Sequence, residues 1–155
     1  MSEAEDLARL RRLLEAGTVR LGVHLRRMNS PGSPVYRWAE NVLPPGLVLV
    51  ASLAATAFLH LWLGMAVVVA GAAWWLGRVQ PRVKDGVFGR TTALALSGER
   101  QFDALWAAGV LSLYARLPDG EERAATRRDD WRAWVRALSE AAATPPAGPP
   151  DTAAP

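Results

Sequence analysis

Charged side chains stop at Glu40 and do not return until Arg78. Within that interval, Gly46 to Gly77 is an almost unbroken apolar run of roughly 30 residues. A helix crossing the hydrocarbon core needs about 20 residues, with a lower limit near 17. The run is therefore too long for one upright pass and tight for two. A segment buried in a water-soluble core would meet polar positions far sooner. The pattern predicts insertion into a membrane.

Three features favour a helical hairpin over one tilted helix. Cations flank both ends: Arg26, Arg27 and Arg37 before the run, then Arg78, Arg82, Lys84 and Arg90 after it. The positive-inside rule keeps both flanks cytoplasmic only if the number of crossings is even. Trp62 falls in mid-run, followed by Gly64; a single span would hold its indole N–H in hydrocarbon, whereas a hairpin brings it to the far interface. Tyr36, Trp38, Trp74 and Trp75 then fall at the near interface, with Arg78 and Arg82 as further interface anchors. Pro44-Pro45 suits a helix start and Pro81 a helix end. The expected helices are Pro45 to Trp62 and Met65 to Val79, joined at Trp62-Leu63-Gly64. Ala51, Ala54 and Ala55 on the first, and Ala66, Ala70, Gly71 and Ala73 on the second, allow the close backbone approach on which helix pairs in lipid depend.

Amphipathic segments surround the hairpin. Ser2 and Glu5 read as a capping box, and Leu7, Leu10 and Leu14 share a helical face that ends near Gly17. Residues 18–28 fit two periods. Val19, Leu21, Val23 and Leu25 alternate as in a strand, while Leu21, Leu25 and Met28 suit a helix. Ser30-Pro-Gly-Ser-Pro34 is a turn. Between Arg82 and Ser97 no period emerges, which predicts a loop. Phe102, Leu105, Trp106, Val110 and Leu113 form an apolar stripe that predicts a helix from Glu99 to Leu117. Asp119-Gly120 turns the chain. A last helix, Glu121 to Ala142, would bury Trp131, Trp134, Val135 and Leu138, with the charged run 127–130 on its wet side. The tail 144–155 is rich in Pro and Ala and predicted to be disordered. The fold class expected is an all-α membrane protein: a cytoplasmic amphipathic region 1–43, a transmembrane hairpin 44–80, a cytoplasmic helical region 81–143 and the tail.

Composition narrows the chemistry. The chain of 155 residues has no cysteine, which removes disulfides, thiolate metal sites and cysteine nucleophiles. Its net charge of +3 is modest and argues against nucleic acid as a partner. The acidic start, Glu3, Glu5 and Asp6, is unlike a signal peptide. His24 and His60, without an acidic cluster, make no recognisable metal site, and no cofactor motif is present. The apolar run holds no Asp or Glu of the kind that ion-coupled transporters use. Four residues remain as functional candidates. His60 is titratable at membrane depth. Glu99 opens a helix and gains from its dipole. Arg100 suits a lipid phosphate or a carboxylate, and Arg37 suits a headgroup.

Residues 25–105 resemble an uncharacterised bacterial family of small two-helix membrane proteins. The resemblance rests on Asn29-Ser-Pro-Gly-Ser33 with Arg37-Trp38, on Trp62-Leu63-Gly64, on Trp75 leading into Pro81-Arg82, and on Gly98-Glu99-Arg100. This chain departs from the pattern by an insertion in the asparagine–serine stretch, an added amphipathic N-terminus and a longer C-terminal region. The family carries no established activity, so the resemblance implies topology alone. The reading that follows is a non-enzymatic protein of the inner cell membrane, both termini cytoplasmic, whose partners are the bilayer and a second protein or its own copies. The alternatives are a holin-like oligomer that remodels membranes and a membrane-bound enzyme acting on lipid headgroups.

Overall fold

Polar and apolar positions sort the chain into two units of opposite surface character. A computed structural model describes residues 3–116 and 120–143. One unit is built from the chain up to Gly22 and from Gly98 onward, and the other is Val23–Ser97. Ser2, Leu117, Asp119 and the 144–155 tail, each given a role above, lie outside the described residues.

The discontinuous unit contains helix α1 (Glu3–Glu15), strand β1 (Val19–Val23, its last residue beyond the boundary), helix α6 (Glu99–Ala107), strands β2 (Leu111–Arg116) and β3 (Glu122–Ala125), and helix α7 (Trp131–Ala143). The strands form one sheet in the order β1-β2-β3, and β2 pairs antiparallel with β3 from Leu113↔Ala125 to Arg116↔Glu122. The protein is mostly helical, but this sheet corrects the all-α expectation. Helix α1 packs against α6 and α7. Leu7, Leu10, Phe102, Trp106, Leu113, Trp131 and Val135 make a closed core.

Helix α6 stops ten residues before the expected Leu117, and the reason is local. Gly109 sits in the left-handed region at φ 66°. Its amide donates to the Trp106 carbonyl, and the Val110 amide reaches back to Leu105. This is a Schellman closure, which glycine alone adopts without a Cβ penalty. Beyond it Leu111, Leu113 and Ala115 are buried while Tyr114 and Arg116 are exposed, the period of a half-buried strand. The same closure at Gly17 (φ 71°) ends α1, with amides of Gly17 and Thr18 donating to Leu14 and Leu13.

Residues 18–28 resolve into both expected forms in turn: β1, then the short helix α2 (Leu25–Met28). The final helix is also shorter than expected. Asp129 accepts hydrogen bonds from the Thr126 amide and hydroxyl, turning the chain. Asp130 accepts from the amides of Arg132 and Ala133, so the charged run is the start signal of α7 and not its wet face.

The second unit is α2, helix α3 (Trp38–Phe58), helix α4 (Leu61–Trp74), a π turn (Trp75–Val79) and helix α5 (Gln80–Leu96). Helices α3 and α4 pack as a hairpin. Helix α3 begins at Trp38, seven residues before the expected Pro45, and carries Pro44 and Pro45 inside it. The turn comes earlier as well. Leu59 and His60 make it, and the Nδ1 of His60 accepts the Trp62 amide at 3.3 Å. Gly64 is consequently a helix-packing residue, not a turn residue.

No loop follows Arg82. The π turn lets the helix run on through Pro81: the Gln80 amide donates five residues back to Trp75, and the ring of Pro81 enters at the first turn of α5. A wider turn of this kind accommodates a residue that lacks an amide and crowds the preceding carbonyl. Val87, Thr91 and Ala95, each four apart, are the buried stripe of α5. The Thr91 hydroxyl donates to the Val87 carbonyl at 2.8 Å.

Two helices are thus long and apolar enough to cross a membrane: Trp38–Phe58 and the continuous Leu61–Leu96. Only 11% and 6% of their most apolar stretches is buried. Among the described residues every large exposed hydrophobic side chain except Tyr114 lies between Trp38 and Phe88.

Candidate functional site

The hairpin is closed by small side chains. Ser52 Oγ donates to the Gly64 carbonyl at 3.0 Å, both residues being buried. A Cβ on Gly64 would collide with Thr56 and come within 3.0 Å of the Ser52 carbonyl, and one on Gly71 would collide with Val48. Glycine is required at both places for the helices to approach. Gly71 and Ala55 were among the small residues expected to supply the contact; Ser52 and Gly64 complete it.

A polar cluster lies at the opposite end of the hairpin from the turn. Arg90 of α5 holds Glu40 of α3 with two hydrogen bonds, Nη1 to Oε1 at 3.0 Å and Nη2 to Oε2 at 2.8 Å. Arg37, the residue preceding α3, lies 3.4 Å from the same carboxylate. Beside them Asn29 and Asn41 exchange side-chain amide hydrogen bonds at 2.8 and 3.0 Å. Asn41 also donates to the Arg37 carbonyl. The stretch after Asn29 is a shaped turn: Ser30 Oγ donates to the Arg27 carbonyl, the Ser33 amide to Ser30, and Gly32 sits at φ 94°.

The residues expected at the interfaces fall at the two ends of the hairpin. Arg78 and Arg82 are exposed on the helix that continues from the hairpin. Trp38 and Trp74 are exposed, and Trp75 and Tyr36 half-buried, at this end of the hairpin; Trp62, 70% exposed, is at the turn. His60 is exposed at the turn, where its Nδ1 caps its own helix. Glu99 and Arg100 belong to the discontinuous unit, where Gly98 caps α6; Arg100 is exposed and Glu99 half-buried.

That unit has a second polar cluster, which the sequence reading missed. Asp103 accepts Arg132 Nη1 at 3.0 Å, Arg132 Nη2 at 2.7 Å and Trp131 Nε1 at 2.9 Å. The Arg132 guanidinium lies 4.6 Å from the centre of the Trp131 ring. Burial pushes the Asp103 carboxyl up, but the hydrogen bonds from Arg132 and Trp131 outweigh it and hold the group below its ordinary value. An open groove of about 1000 Å³ at one end of the sheet is lined by Thr18, Arg20, Tyr114, Arg116 and Glu122. There Arg116 and Glu122 pair at 2.8 Å. Among the described residues no three His, Asp or Glu side chains stand close enough to share a metal ion.

No family model matches this chain, and neither a curated protein nor a solved structure proved similar to it.

Proposed function

We propose that the protein is a two-pass integral membrane protein whose hairpin anchors the discontinuous folded unit on the cytoplasmic side. There that unit serves as an assembly surface for a partner protein or for further copies of the chain. The observation that carries the reading is the apolar belt from Val42 to Leu76, uncharged and almost wholly exposed. A water-soluble protein rarely carries a contiguous apolar patch beyond a few hundred Å². Lipid removes that conflict.

The build of the discontinuous unit supports an even number of crossings. Helix α1 precedes the hairpin, whereas α6 and α7, against which it packs, follow it. Strand β1 likewise joins a sheet whose other strands come after the hairpin. Segments on opposite sides of a bilayer could not meet in one core. The cations Arg37, Arg78 and Arg82 favour the cytoplasm for that side. An anchoring role in place of an enzymatic one is favoured by the polar side chains themselves: Glu40, Asp103 and Asn41 are engaged in holding elements together.

The absence of cysteine gives a clean background for testing. Single cysteines would be introduced as Glu15→Cys, Leu59→Cys and Arg128→Cys and labelled with an impermeant maleimide in intact bacterial spheroplasts. L59C should label at once, and E15C and R128C only after permeabilisation. Labelling of E15C and R128C from opposite sides would overturn the two-pass topology, and release of the protein by alkaline carbonate would overturn insertion itself. Crosslinking in native membranes tests the assembly role: a chain recovered solely as free monomer would remove it.

A further inference from the structure

The contacts inside the hairpin fix which residues share a depth. Val48 faces Gly71, and Ser52 and Thr56 face Gly64, so a step down one helix is a step up the other. Extending that register places Arg37 at the level of Arg82, and Asn41 at the level of Arg78. Helix α3 also touches the π turn that contains Arg78. The backbone positions of Arg78 and Arg82 therefore lie roughly 6 Å apart in depth at 1.5 Å per residue, with Arg37 entering α3 at the same end of the hairpin. This end borders the apolar belt, where Trp38 and Trp74 are exposed. Arg37, Arg78 and Arg82 are all exposed.

One acid at this end is already taken. Arg90 reaches Glu40 from farther along α5 and occupies both carboxylate oxygens at 3.0 and 2.8 Å. Arg37 keeps only a long 3.4 Å contact with it. The clamp thus cancels the Glu40 charge beside the outward-facing guanidinium groups, leaving the exposed Asp85, three residues beyond Arg82, as the other acid on this stretch of α5. Guanidinium forks match phosphate oxygens in geometry and charge.

We propose that Arg37, Arg78 and Arg82 form a binding band for the phosphates of anionic glycerophospholipids, made available because Arg90 neutralises Glu40. The inference rests on the membrane reading above and adds a lipid class to it. Membrane-adjacent cations attract acidic lipids with a strength that adds up over several residues and weakens with salt.

The test uses the full chain reconstituted in phosphatidylcholine vesicles with trace spin-labelled phosphatidylglycerol or spin-labelled phosphatidylcholine. Electron spin resonance then reads the motionally restricted lipid at the protein surface. Phosphatidylglycerol should be selected roughly three- to tenfold over phosphatidylcholine, and the preference should fall towards unity in R78Q/R82Q and in high salt. Equal restriction of both lipids would overturn the band while leaving insertion intact. Undiminished selectivity in R78Q/R82Q would overturn it as well, by moving the site elsewhere. If neither lipid shows a restricted component, insertion fails and the band fails with it.

Discussion

Arg90 and Glu40, fifty residues apart in sequence, meet through two parallel hydrogen bonds that tie α5 to the first turn of α3. Both side chains are about three-quarters covered, at 25% and 30% exposure. The paired geometry suits a planar guanidinium and not an ammonium. Arg90→Ala should lower stability by about 1–3 kcal/mol, since it strands a partly buried carboxylate. Arg90→Lys should recover little of the loss. Thermal unfolding in detergent, followed by circular dichroism for E40A, R90A and the double variant, should give a coupling of about 0.5–3 kcal/mol. Strictly additive losses would show that the two side chains do not act as a pair.

Gly64 and Gly46 offer a matched contrast in one hairpin. Gly64→Ala forces its new methyl against Thr56 and the Ser52 carbonyl, whereas a Cβ at Gly46 meets nothing within 4 Å. The first should destabilise by about 1–3 kcal/mol through overpacking. The second should be neutral or gain up to about 1 kcal/mol from a stiffer helix. Comparable melting temperatures for the two variants would contradict the packing described.

Gly109 joins a helix to a strand at positive φ, and its substitution is a test of the discontinuous unit. Gly109→Ala should cost about 1–2 kcal/mol, the penalty for an L-residue held in the left-handed region. Faster hydrogen exchange should then appear in α6 and β2 and not in α4. An unchanged exchange pattern would mean that the Schellman closure contributes nothing to this junction.

Asp103 makes stability depend on pH in a defined direction. Its carboxyl is held below the ordinary value in the folded chain despite the burial that pushes it up. The unfolded group titrates near about 3.9. The stabilisation is therefore complete above that pH and is lost as the pH falls through the lower folded value. Wild type should exceed D103N in melting temperature at neutral pH, and the gap should close in strong acid. A gap that stays constant down to pH about 2 would show that Asp103 ionisation is not the cause.

What was legible in the sequence follows from how local each signal is. The apolar block announced itself because no charge interrupts it, and Gly17 ended α1 where the leucine period ended. Strand β2 was hidden because Leu105, Trp106, Val110 and Leu113 fit a helical period, and Gly109 interrupts that stripe without changing its spacing. Helix α5 was hidden by Pro81, Gly86 and Gly89, and the fourfold spacing of Val87, Thr91 and Ala95 became evident only from their burial in the structure. Pro44 misled in the opposite direction: its missing amide pointed to a helix start, whereas α3 begins at Trp38 and carries it inside. Among the candidate residues, Arg37 stood beside its partner Glu40 and could be noticed. Arg90 could not, because nothing local marks a contact across fifty positions. Asp103 and Arg132 are separated by 29 positions and were equally silent.

The hairpin is spliced into a domain that begins before it and finishes after it. During synthesis, α1 and β1 leave the ribosome with no partners, because α6, β2 and α7 are not yet made. Contacts so distant along the chain are slow to form. In the topology proposed above, the apolar helices enter lipid in that interval, and the discontinuous unit closes only when its second piece arrives on the same face. Completion of that fold would thereby act as a check on orientation: a hairpin threaded as a single crossing would leave a leucine-faced helix and an unpaired strand exposed, the kind of surface that quality-control proteases degrade.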